Sequence, residues 1–219
     1  MTEQVVIVDH GLGNLFSISG ALAHFGVPVQ VSSDPEVVRQ ARWLILPGVG
    51  AFAEGMRQLR VRGLLEAILE FAQSGRPLLG ICLGIQLLFT ESEEFGLHEG
   101  LGLILGQVKR LHTTGPEGHR VKVPHVGWSA LHRPSTRSDW NATSLDGLPD
   151  GVTMYFVHSY VPFPHSDGVT MASMTYGGHN YCAVVEHGNV VGCQFHPEKS
   201  GEAGLRFLHN FLVRQPSYV

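Results

Sequence analysis

Three side chains in this sequence have the types and settings needed for nucleophilic acyl transfer: Cys82, His196 and Glu198. Cys82 stands within Gly80-Ile81-Cys82-Leu83-Gly84-Ile85-Gln86, with a glycine two residues before it and another two after. Small residues at those places let a strand turn abruptly into a helix, lifting the side chain between them to the carboxyl edge of a sheet as a nucleophile elbow. A helix amino terminus behind the sulfur favours the thiolate, and its backbone N–H groups can meet a developing oxyanion. A lone cysteine is more commonly a small buried hydrophobe, so the elbow needs a partner motif before it reads as catalytic.

That motif is Val190-Val191-Gly192-Cys193-Gln194-Phe195-His196-Pro197-Glu198, which sets a histidine just beyond a strand with an acid two residues on. His196 can take the thiol proton, and Glu198 can fix its tautomer and stabilise the imidazolium. Pro197 between them limits φ and biases His196 toward an extended conformation, which makes the corner rigid. A third segment, Leu46-Pro47-Gly48-Val49-Gly50, is a glycine-rich turn after a strand, where a backbone N–H can face an oxyanion.

These groups must be carried by a sheet, and the sequence reads as one. Val5 to Val8 is a β-branched strand ending in the turn Asp9-His10-Gly11-Leu12-Gly13-Asn14. A helix from Leu15 to Phe25, a strand from Val29 to Val31, a helix opening at Ser33-Asp34-Pro35-Glu36 and a strand at Trp43 to Leu46 follow. Gly55 to Phe71 has helical apolar spacing and reads as one amphipathic crossover helix. Leu78 to Ile81 is a buried strand running into Cys82, and Leu83 to Phe89 the helix behind it. The recurring βαβα order predicts a largely parallel sheet. In the second half, Leu103–Leu111, Thr153–Val161, Val169–Tyr176, Cys182–Glu186 and Val190–Phe195 read as strands separated by Gly, Pro and Asp turns. Arg133 to Trp140 reads as a mobile polar loop, and Gly201 to Val213 as a closing helix. The expected fold is α/β, a mostly parallel central sheet with helices on both faces and antiparallel strands added in the second half.

With 219 residues and 43% hydrophobic content, residues 1–219 are expected to form a single domain. A net charge of −4 without basic runs argues against nucleic acid as a partner. No apolar run approaches the roughly 20 residues of a membrane span, and the start lacks a signal-peptide pattern, so a cytoplasmic location is expected. Three cysteines form no disulfide framework and fit a reducing compartment. The 13 histidines show no HExxH, and no Cys-x-x-Cys occurs, so no metal is expected, and acyl transfer through a cysteine thiolate needs no organic cofactor.

The elbow cysteine, followed in order by His196 and Glu198, resembles the class I glutamine amidotransferases, whose flavodoxin-like fold carries such a triad. The segments at 9–14, 47–52, 124–128, 155–160 and 194–200 narrow the resemblance to the glutaminase subunits of imidazole glycerol phosphate synthase, over nearly the whole chain. The resemblance implies hydrolysis of L-glutamine through a cysteine thioester. Ammonia would pass to a (β/α)8-barrel cyclase subunit, which makes imidazole glycerol phosphate and aminoimidazole carboxamide ribotide in histidine biosynthesis. It also implies oxyanion donors at Val49 and Leu83, glutamine contacts at Gly50, Gln86, Glu94, His158, Ser159 and Tyr160, and a partner interface at Asn14, Trp128, Tyr155 and Lys199. The i, i+4 spacing of Cys82 and Gln86 puts both on one helix face.

Two departures stand out: Ser129 follows Trp128 where many relatives have asparagine, and Thr113 to His119 reads as a lengthened hairpin turn. Cys182 and Cys193 lie on no elbow and read as packing residues. A glutaminase serving another synthase is one rival reading, against which the segments around Trp128 and Tyr155 argue; a peptidase or γ-glutamyl hydrolase on the same fold is a second, which would need a wider cleft and no partner surface.

Overall fold

The computed structural model describes residues 4–213. Its main sheet is built from β1 (Val5–Val8), β2 (Val29–Ser32), β3 (Trp43–Gly48), β4 (Leu78–Cys82), β11 (Thr170–Tyr176), β12 (His179–His187) and β13 (Val190–Cys193). Their order across the sheet is β11-β12-β13-β4-β3-β1-β2. The five strands from β2 to β13 are parallel, and β12 and β11 extend the edge antiparallel, as the change of texture in the sequence predicts.

Both faces of this sheet are covered, which explains strands that are apolar at every position rather than at alternate ones. In β1, Val5 and Ile7 enter one core with Ile18 and Leu22 of α1 (Leu15–Ala23) and Phe207 and Phe211 of α6 (Gly201–Val213). Val6 and Val8 enter the other, with Val38 of α2 (Pro35–Gln40), Met56 and Leu59 of α3 (Phe52–Val61) and Ile68 and Phe71 of α4 (Leu64–Gln73). None of the described helices is long and apolar enough to cross a membrane.

The sequence reading needs correction in several places. The crossover expected from Gly55 to Phe71 is two helices, α3 and α4, because Gly63 takes a left-handed conformation with φ +67° and redirects the chain. The helix after Cys82, α5, spans only Leu83–Leu87, and Phe89 already opens β5 (Phe89–Ser92). A five-residue helix sums fewer aligned peptide dipoles, so it stabilises negative charge at Cys82 less than the longer helix expected. The single strand expected over 153–161 breaks at Ser159 into β9 (Thr153–His158) and β10 (Tyr160–Pro164). These belong to two further small sheets: β10 joins β7 (Ile104–Arg110), β5 and β6 (His98–Glu99), while β9 pairs with β8 (His125–Ala130). The polar 133–140 segment ends on a buried Trp140, whose indole N–H donates to the Met171 carbonyl at 2.7 Å. Residues 113–121 form a small hairpin, closed by Gly115 N donating to His119 O and Val121 N to Thr113 O.

Glycine is required at the elbow for a measurable reason. A Cβ on Gly84 would fall on the Leu46 carbonyl oxygen, and one on Gly80 would lie 2.7 Å from the Gly84 backbone. We expect Gly84→Ala to lose at least about 2 kcal/mol in urea unfolding, because β3 and α5 must part. Gly20 of α1 is the control: it is exposed with nothing within 4 Å of an added Cβ, so Gly20→Ala should gain about 0.5–1 kcal/mol. Equal effects at the two glycines would contradict this packing argument.

Candidate active site

β4 and β13 run side by side and parallel, with Ile81 opposite Cys193. Their carboxyl ends therefore deliver Cys82 and the Gln194–Glu198 segment to the same edge of the sheet, where open α/β sheets hold their ligands. Cys82 sits at φ +56°, a left-handed backbone that a side-chain-bearing residue rarely adopts. The strain lets the chain pass from strand to helix within one residue and leaves Cys82 in the wall of a pocket of about 270 Å³.

His196 is held from both sides of its backbone. Its N–H donates to Tyr155 O at 2.9 Å, and its carbonyl accepts from the Ser200 hydroxyl at 2.7 Å. The same Ser200 oxygen accepts from Tyr155 N at 3.0 Å, tying β9 to the His-Pro-Glu turn. The ring Nδ1 meets Glu198 Oε1 at 2.9 Å, and the carboxylate side chain is fully buried. Burial works against a charged His196, but its interaction with Cys82 and the hydrogen bond to Glu198, together with the charges of both, outweigh it and push the imidazole up to about 10. A carboxylate sealed from water needs a cationic partner, and His196 is the partner the fold supplies.

The pocket wall brings together nearly every residue singled out in the sequence: Val49, Gly50, Cys82, Leu83, Gln86, Glu94, His158, Ser159, Tyr160, His196 and Lys199. Glu198 stands behind His196 rather than in the wall. Several of these side chains have second duties. Glu94 Oε2 accepts from Phe52 N at 2.6 Å, capping α3 where Ala51 offers no side-chain cap. The Gln86 amide nitrogen donates to Tyr160 O at 3.0 Å and to Gln194 Oε1 at 3.1 Å. The Pro47–Gly50 turn is pinned by buried His10, whose Nε2 lies 2.7 Å from the Pro47 carbonyl, and Gly50 takes φ +103° to complete it.

Lys199 of the pocket wall stands beside a pair of aromatic rings. Trp128 is 57% exposed and meets Tyr155 edge-on, with ring centroids 5.8 Å apart, and Lys199 Nζ stands 5.9 Å from the Tyr155 ring centre. Asn14 caps α1 through its side-chain oxygen, which accepts from Ser17 N.

Two participants escaped the sequence reading. Gln194 is fully buried, with its amide nitrogen 3.9 Å from the Cys82 sulfur, and Ser200 carries the bonds just described. The only signal for Gln194 was a polar residue inside an otherwise apolar run. Cys182 and Cys193 are buried, and burial pushes Cys182 up to about 12. Cys193 is also raised well above the ordinary thiol value, by burial and by the charges of Glu198 and Cys82.

The family profile for glutamine amidotransferase class-I matches residues 6–215, and the chain belongs to that family. It is 45% identical over 210 residues to imidazole glycerol phosphate synthase subunit HisH 1 of Legionella pneumophila (strain Lens), covering 96% of this chain and 99% of that one. It is 49% identical to subunit HisH of Syntrophotalea carbinolica, covering 94% and 98%. Among solved structures, a glutamine amidotransferase superposes with TM-score 0.69 at 22% identity, covering 95% and 99%. The glutaminase domain of Trypanosoma brucei CTPS with bound acivicin superposes with TM-score 0.59 at 16% identity, covering 100% and 96%.

Alkylation should read this geometry directly. At neutral pH we expect iodoacetamide to label Cys82 alone in the folded chain, since Cys193 is fully buried and Cys182, nearly as little exposed as Cys82, is held protonated by burial of its thiol. Glu198→Gln should slow that labelling by about tenfold or more, because the imidazolium beside the sulfur loses its buried counter-charge. Peptide mapping that found Cys182 or Cys193 labelled first would contradict the assignment.

Proposed function

We propose that this chain is the glutaminase subunit of imidazole glycerol phosphate synthase, with Cys82, His196 and Glu198 as its catalytic triad. The observation that carries the reading is the strained Cys82 elbow facing His196 across one pocket, with the His196 ring fixed by a buried Glu198. Its relatives of 45% and 49% identity are HisH subunits of that synthase.

In the proposed cycle the Cys82 thiolate attacks the side-chain amide carbon of L-glutamine. The oxyanion that forms is met by backbone N–H groups of Val49 and Leu83, and Gly50 gives the Val49 turn its shape. His196 then donates its proton to the departing nitrogen, the carbon–nitrogen bond breaks, and ammonia leaves a glutamyl thioester on Cys82. His196 next takes a proton from water, which attacks the thioester, releases glutamate and returns the thiolate. Gln86, Glu94, His158, Ser159 and Tyr160 form the binding wall. Each oxyanion donor contributes about two to three orders of magnitude in rate.

Ammonia released into water is protonated and lost as a nucleophile, so the product must pass directly to a second active site. We place that partner, a (β/α)8-barrel cyclase subunit, against Trp128, Tyr155 and Lys199, with Asn14 at the margin. An exposed Trp128 packed on a half-buried Tyr155 is the chemistry of an interface, where aromatic side chains are enriched. A lone γ-glutamyl hydrolase has no use for such a surface. The complex is placed in the cytoplasm, and no cofactor takes part in the cycle.

Reconstitution with the cyclase subunit tests this reading. Cys82→Ala should abolish glutamine-dependent synthesis of imidazole glycerol phosphate while leaving ammonia-dependent synthesis intact. Loss of both would overturn the assignment. Trp128→Ala and Lys199→Glu should each weaken assembly by about tenfold in Kd, measured by titration calorimetry, since interface hot spots cost about 1–2 kcal/mol or more. Unchanged affinity in both would remove the partner from this face.

A further inference from the structure

Two buried histidines beside the pocket form a chain of hydrogen bonds whose direction can be worked out atom by atom. His158 Nδ1 lies 2.9 Å from the Tyr160 carbonyl, which can only accept, so Nδ1 carries the proton. A neutral ring has one N–H, which makes His158 Nε2 an acceptor. His125 Nδ1 lies 3.3 Å from it and must therefore be the donor. That assignment leaves His125 Nε2 as an acceptor, and the Ser129 hydroxyl stands 3.1 Å away to supply the proton. Both rings are held neutral: burial lowers His125 to about 4, while burial, outweighing the Tyr160 bond, brings His158 to about 3, with electrostatic interaction with His125 and His196 acting in the same direction.

The chain has a consequence for the site. Both ring nitrogens of His158 are engaged by the protein, so its ring bonds to the strand break at Ser159 rather than to a substrate. Tyr160 O, which receives the His158 proton, also accepts from Gln86, and Gln86 in turn donates to Gln194 beside the Cys82 sulfur. His125 is itself fixed, its ring stacked between Tyr176 at 4.0 Å and Phe156 at 5.4 Å between centroids. Its lone donor is thus aimed by packing, and the Ser129 hydroxyl keeps it in the donating tautomer.

We propose that His125, supported by Ser129, is a positioning residue of the glutaminase site: its Nδ1–H locks the His158 ring as a clip that sets where Ser159 and Tyr160 meet glutamine. This claim rests on the glutaminase reading above, and it assigns His158 a clamping role rather than a direct substrate bond.

The test has an arm that needs no turnover. In 15N-histidine-labelled protein, the ring nitrogens of His125 and His158 should report the Nδ1–H tautomer unchanged between about pH 5 and 8. A proton on His158 Nε2, or titration of either ring in that range, would overturn the proposal whatever the enzyme does. The second arm uses the complex with its cyclase subunit. His125→Phe keeps the ring stack and removes the donor, so KM for glutamine should rise about tenfold with kcat within about twofold. His125→Asn puts an amide N–H near the Nδ1 position and should return KM to within about threefold of the parent. Ser129→Ala, the mildest change, should raise KM about threefold. An unchanged KM in His125→Phe, or no rescue by His125→Asn, would overturn the clip. Failure of the glutaminase reading shows separately, as glutamine turnover that survives Cys82→Ala.

Discussion

The backbone of Cys82 is the constraint on which the rest of the site depends. A side-chain-bearing residue at φ +56° costs of order 1–2 kcal/mol, and the fold tolerates it because its surroundings permit no other path. Gly80 and Gly84 touch backbone where any side chain would clash, β3 lies against the elbow with Gly48 opposite Cys82, and Leu83 closes over Gly48. Strain of this kind is released if any neighbour gives way, so the packing around the elbow is at its tightest where the chemistry is.

His196 is held by a different physics. Its backbone is clamped by Tyr155 and Ser200, and its ring by a carboxylate with no access to water. Burial alone would keep the ring neutral, yet its two partners, sulfur and carboxylate, reverse that preference. Because Tyr155 carries both the clamp on His196 and the ring that meets Trp128 and Lys199, the proposed partner surface and the proposed catalytic base are both tied to one strand, β9. The short α5 adds little dipole, which leaves the imidazolium as the main positive charge facing the sulfur.

Much of this was legible in the sequence because it follows from local rules. Glycines flanking a cysteine at two-residue spacing name an elbow, and His-Pro-Glu after a β-branched run names a rigid corner at a strand end. Four of the five parallel strands were visible as apolar runs because burial on both faces erases alternation, while the edge strand β2, Val-Gln-Val-Ser, is only partly buried and alternates. What escaped was set by tertiary contact. No periodicity marks Gly63 as the residue that splits α3 from α4, since Met56, Leu59, Leu64 and Ile68 face the same core on either side of it. The helix after Cys82 stops early because Phe89 pairs with Ile104, a partner far along the chain. Gln194, Ser200 and His125 act through bonds to residues remote in sequence, and no spacing rule could have assigned them.

The most direct test of the central claim is to trap the covalent intermediate. The complex with its cyclase subunit, turning over glutamine, is quenched in acid and its peptides are mapped by mass spectrometry. A glutamyl adduct on the peptide that carries Cys82, and on no other cysteine peptide, is the result this account predicts. Ammonia release at full rate with no adduct on Cys82, or with the adduct on Cys182 or Cys193, would contradict it.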